Sequence, residues 1–198
     1  MTEAHFWQII QKSFDACSGN TDEQAGTLAN ELHKLHADEI AAFARHFATY
    51  HRQAYSWDLW GAAYLINGGC SDDGFADFRS WLISRGREWY HQALISPDSL
   101  ADYPGLGDRD ATFEEFAYVA SQVHEKLAGD LPESCFCPDP DDPVGTIWQE
   151  DDEETFRTRW PKLFAQFPIG GKSVAPDSWF KKIISSIFSK NRASSDRS

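Results

Sequence analysis

Apolar residues recur along this chain at intervals of three and four, the spacing of one face of an α-helix. Phe6, Ile9, Ile10 and Phe14, with Trp7 beside them, predict a first helix over residues 3–17, ended by Gly19-Asn20. Asn20 or Thr21 can cap a second helix, which the pattern carries to about His36 with Leu28, Leu32 and Leu35 inward. A third runs over about 37–54, with Ile40, Phe43, Phe47 and Tyr50 inward. Asp38 and Glu39 near its start and Arg52 near its end suit the helix dipole. A fourth spans about 56–66 and stops at Asn67-Gly68-Gly69. Ser71 can then cap a fifth over about 72–84, and Gly86 interrupts it before a further helical stretch over 87–95.

Residues 98–103 read as a short turn of helix, and 104–107 as a loop. A helix over 112–128 follows, with Thr112 as its expected cap and Phe113, Phe116, Val119, Ala120, Val123 and Leu127 inward. Sustained two-residue alternation, the mark of a strand, does not occur. The chain is therefore expected to be all-α, a single helical domain of about six to eight helices.

The character changes after Gly129. Residues 130–155 hold ten acidic residues and no Lys or Arg, and prolines 132, 138, 140 and 143 make the first half an extended loop. A helical stretch over 150–167 is expected to break at Pro161. The expected organisation is a helical core, 1–129; an acidic loop and helix packed on it, 130–170; and a linker, amphipathic tail helix and loose end, 171–198. In the tail, Trp179, Phe180, Ile183, Ile184, Ile187 and Phe188 share one face, with Lys181, Lys182 and Lys190 alongside. That helix suits docking on this chain or a partner, with contact to a membrane surface as the alternative.

Composition narrows the function. The chain has 198 residues and a formal net charge of −13. Such a surface repels phosphate backbones, so nucleic acid is not an expected ligand, and it suits either a basic protein partner or simply solubility. The N-terminus lacks the pattern of a secretory signal, and no apolar run is long enough to span a bilayer, so a cytoplasmic location is expected. The four cysteines, Cys17, Cys70 and the Cys135-x-Cys137 pair, read as reduced thiols and match no zinc spacing.

The densest block is WDLWGAAYLINGGCSDDGFADFRSWLISRGREWY, residues 57–90. Its aromatic residues read mostly as core. Asp72 and Asp73 read as helix-start charges, with a cation site as the sharper alternative. Asp58, Asn67, Asp72, Asp73 and Arg79 together form the one polar constellation from which a ligand pocket could be built. Arg79, Arg85 and Arg87 are expected in internal ion pairs. Cys70, just before a helix N-terminus, is the best-placed nucleophile were the protein an enzyme. His33, His36, His46 and His51 read as surface histidines. No phosphate loop, nucleophile elbow or dinucleotide fingerprint is present, and no cofactor or metal is implied.

This block, with the upstream FWQII and FARHF, resembles an uncharacterised bacterial helical domain family of unknown function. The resemblance spans roughly residues 1–128. It implies a helical fold and carries over no catalytic residues. Composition and charge then point to a non-catalytic, acidic, protein-binding module. Its most concrete form is an immunity or antitoxin protein that neutralises a basic toxin or effector. The expected contact residues are Asp139, Asp141, Asp142, Asp151, Asp152 and Glu153. The alternative is an enzyme, or a small-ligand or metal-binding protein, with its pocket around the GGCSDDGF turn.

Overall fold

In a computed structural model, residues 1–106 and 110–170 are described; the expected tail helix lies outside them. Seven helices form the body: α1 Glu3–Ala16, α2 Thr21–Leu32, α3 Ala37–Gln53, α4 Trp57–Asn67, α5 Asp72–Ser84, α6 Arg87–Ile95 and α7 Glu114–Ala128. A 3-10 turn, Pro97–Asp102, follows α6. Two short helices, α8 Glu153–Arg159 and α9 Pro161–Gln166, close the described chain. No strand occurs among the described residues; the single bridge is a parallel one between Ser56 and Val144.

Local chemistry sets the boundaries. Thr2, Asn20, Ser56 and Ser71 each accept a backbone N–H in the first turn of the helix that follows, filling a donor the helix leaves open. Gly68 and Gly69 turn the chain out of α4 with φ of 71° and 135°, angles a side chain would strain. Two expectations are corrected. Helix α2 stops at Leu32, short of His36, because His36 instead begins α3: its N–H donates to Glu39 at 3.1 Å. Helix α7 begins at Glu114 with no side-chain cap, since the Thr112 hydroxyl is turned to Asp110.

Helix α5 is the hub. Residues 78–84 are buried without interruption, as in a helix covered on all sides. α1, α3 and α7 pack against it, and α2 packs against α1 and α7. At its C-terminal end the buried Arg85 meets no carboxylate among the described residues, contrary to the expected ion pair. Its guanidinium donates to Gly19 O at 2.7 Å and to the Gln24 side-chain oxygen, and its Nε donates to Ser84 Oγ. Leu127, expected inward, is 53% exposed; His124 takes the buried position on α7 and bonds Gly129 O at 2.7 Å.

The acidic segment is fastened to this body rather than hanging from it. Cys135, Trp148, Phe156, Trp160, Leu163, Phe164 and Phe167 join the same buried core. The outer edge of the Trp160 ring packs against α4 at Gly61, where a Cβ would sit 2.3 Å from ring carbons. Pro161 does break the helix there, as expected: it opens α9 at its first turn. Asp98 accepts from the backbone N–H of Lys162 and Leu163, so the 3-10 turn caps α9 from across the fold.

Candidate functional site

The two residue sets singled out in the sequence meet in one place. Arg79, on the third turn of α5, has a side chain 3% exposed. It reaches Asp139, not the nearby Asp72 or Asp77, in a two-pronged pair: Nη1 to Oδ1 and Nη2 to Oδ2, both at 2.8 Å. Nη1 also donates to His51 O at 3.0 Å, and the guanidinium lies over the rings of Tyr55 and Phe75 at 4.8 and 5.0 Å. A fork that matches a carboxylate and a flat face that stacks on rings are why this position suits arginine and not lysine. Asp139 is thus a clasp for the acidic segment, not a free contact residue.

His51, read from sequence as a surface residue, is half-buried beside that clasp and bonds Ala76 O at 3.0 Å. Burial, with the Arg79 charge adding, pushes it down to about 4, so it is neutral at physiological pH. Burial also pushes the Tyr55 phenol up, and the charges of Asp139, Asp72 and Asp142 act in the same direction.

The other members of the polar constellation are placed apart. Asp58 pairs with Arg159 at 2.5 Å, and its backbone oxygen accepts the Trp160 indole N–H. Asn67 Oδ1 accepts the backbone N–H of Ala111 at 3.0 Å, tying α4 to the start of α7. Asp72 and Asp73 are exposed at the start of α5. None of the five lines the clefts described below, and no group of three metal-ligating side chains occurs among the described residues. Burial and the charges of Asp77 and Asp72 push the Cys70 thiol up to about 12, the wrong direction for a nucleophile.

Along the acidic segment the expected contact residues divide. Asp139 is clasped; Asp152 caps α8 by accepting from Thr155, which holds its carboxyl below the usual range. Glu153 pairs with Arg157 one turn on. Asp141, Asp142 and Asp151 are exposed and enter no ion pair among the described residues.

Two clefts border the segment. One, of about 680 Å³, is mainly apolar and lies between Phe47, His51 and Ala117 on one side and Phe136, Cys137 and Pro138 on the other. The second, of about 460 Å³, lies between the α4–α5 corner and residues 147–151, with Trp57, Trp60, Cys70, Trp148, Glu150 and Asp151 among its walls. Main-chain bonds from Trp57 N to Val144 O and from Val144 N to Tyr55 O hold its outer wall, together with the Trp148 indole N–H on Trp57 O.

A family model described as "Protein of unknown function (DUF4240)" matches residues 1–126. The chain belongs to the DUF4240 family. The match ends at the last turn of α7, so the acidic segment that completes the core lies beyond what the family model covers. No curated protein and no solved structure matches this DUF4240 chain.

Sequence reasoning passed over His51, Tyr55, Trp148, Ile147 and Phe136. The first two had no local signal, because Arg79, which contacts both, lies on another helix and is held by Asp139 far along the chain. Phe136 and Ile147 did carry a signal: apolar residues inside an acidic, proline-rich stretch that needs none for solubility.

Proposed function

We propose that this DUF4240 protein is a non-catalytic binding module for a basic protein, with residues 136–153 as its contact surface. Its most concrete form is an immunity or antitoxin-type protein that covers the basic active groove of a toxin in the cytoplasm. The observation that carries the reading is the make-up of that outer face. Phe136, Val144 and Ile147 are 64%, 70% and 57% exposed, half of the six large exposed apolar residues among those described. They alternate along the chain with the unpaired carboxylates of Asp141, Asp142 and Asp151. Apolar anchors within a charged field are the usual anatomy of a protein interface, and a solvated loop has no need of them.

The fastening of the segment supports the same reading. A surface already ordered by Arg79–Asp139, Asp58–Arg159 and the Val144 bridge loses little conformational entropy on binding. The enzyme or ligand-pocket alternative draws less support, since Asp58, Asn67 and Arg79 spend their polar groups inside the fold.

The test is capture from native extract by the full chain and by an Asp141→Lys, Asp142→Lys, Asp151→Lys variant. A basic protein retained by the first and lost by the second supports the proposal. Identical retention by both overturns it.

A further inference from the structure

The cleft between the α4–α5 corner and residues 147–151 is not a packing defect. Trp57 and Trp60 stack at 5.3 Å with ring planes 10° apart, and Trp148 stands edge-on to Trp57 at 88°. Two of the indole N–H groups are spent internally, on Cys70 O by Trp60 and on Trp57 O by Trp148. Trp60 and Trp148 are buried behind the half-buried Trp57, which offers the cleft most of its carbon surface and π density. The Cys70 thiol on the same wall is held neutral. The charged groups facing the space among the described residues are Glu150 and Asp151, both carboxylates.

Three of the chain's own arginines sit in this same kind of setting. Arg79 lies over Tyr55 and Phe75 and forks onto Asp139. Arg159 lies 4.6 Å over Trp160 and pairs with Asp58. Arg157 lies 4.6 Å over Phe164 and pairs with Glu153. In the cleft, rings and carboxylates are assembled alike, but no arginine among the described residues lines it. A guanidinium satisfies both halves of such a site at once, through stacking or cation–π attraction and a charge-assisted hydrogen bond.

We infer that this cleft receives a single arginine side chain of the basic partner, seated against Trp57 at the edge of Trp148 with its guanidinium on Glu150 and Asp151. The inference rests on the proposed function and adds a defined anchor point to it. The exposed Ile147 at the rim then packs on whatever flanks that arginine.

The probe is the capped tripeptide Gly-Arg-Gly, with the isosteric, uncharged Gly-citrulline-Gly as control. Binding to the full chain is followed by two-dimensional NMR of the indole N–H groups, assigned with Trp57→Phe and Trp148→Phe variants. The arginine peptide should shift the Trp57 and Trp148 signals in a saturable way, about tenfold more tightly than the citrulline peptide. Asp151→Asn, a change at an exposed residue that leaves packing untouched, should weaken it several-fold. Equal binding of both peptides, no binding of either, or arginine binding indifferent to Asp151→Asn and Trp57→Phe overturns the cleft assignment. If the cleft assignment fails but a basic partner is still lost on Lys substitution at Asp141 and Asp142, the acidic-surface reading stands alone. If Lys substitution leaves partner capture unchanged, the surface reading itself has failed.

Discussion

Removing the clasp tests how the acidic segment is held. In Asp139→Ala, the Arg79 guanidinium keeps its bonds to His51 O and Phe75 O and its two rings but loses both carboxylate bonds. Breaking a fully buried pair costs about 3–5 kcal/mol, whereas an exposed pair contributes about 0–1 kcal/mol. Here one partner is 3% exposed and the other 30%, so water replaces part of what Asp139 supplied. The expected loss is about 2–3 kcal/mol, because a charge stays buried with half its hydrogen bonds unfilled. Urea unfolding followed by circular dichroism measures it, and for a chain of this size the same loss lowers Tm by about 5–10 °C. Arg79→Met should cost a similar amount, and the double variant should cost little more than either alone, a coupling of about 2 kcal/mol. A loss within about 0.5 kcal/mol for Asp139→Ala, or strictly additive losses, would refute the argument that this pair fastens the segment.

Three further outcomes follow from the same geometry. Gly61→Ala gains helix propensity yet drives a methyl to 2.3 Å from the buried Trp160 ring; thermal unfolding should show a net loss of about 1–3 kcal/mol, and a gain would mean Trp160 yields freely. Asn67→Ala strands the Ala111 N–H and should cost about 1–2 kcal/mol in urea unfolding, with Asn67→Asp recovering part of it. His51 has its folded pKa depressed from 6.5 to about 4, so the unfolded chain binds the extra proton first. Its contribution is complete above pH 6.5 and is lost as pH falls toward about 4, up to about 2–3 kcal/mol. His51→Gln should flatten that part of the stability–pH curve, and parallel curves would show that His51 titrates normally.

Much of the fold was legible because it is written locally. Ser71, Asp72 and Asp73 announce the start of α5, and Gly68-Gly69 the end of α4, within a few residues of the feature each controls. The boundaries that misled are at Thr112, whose hydroxyl is taken by Asp110, and at His36, whose backbone N–H is taken by Glu39 at the start of α3. The site was legible only in halves. Asp139 and Arg79 each stood out, but nothing local says that residues 60 apart form one pair, and the nearer Asp72 and Asp77 were the natural guess. The same applies to Asp58, whose partner Arg159 lies 101 residues on. Long-range pairing turned a supposed pocket into a set of fasteners, and it left the surface they fasten as the part without an internal task.

That surface is judged most directly by the rate at which the captured basic partner associates, measured across ionic strength. For the wild-type chain the association rate should fall steeply with salt, since carboxylates on an interface rim steer the encounter. In the Asp141→Lys, Asp142→Lys, Asp151→Lys variant the rate at low salt should drop by about tenfold or more and its salt dependence should become much shallower, with the unfolding midpoint unchanged. Equal rates and equal salt slopes for the two proteins would contradict the assignment of residues 136–153 as the binding face.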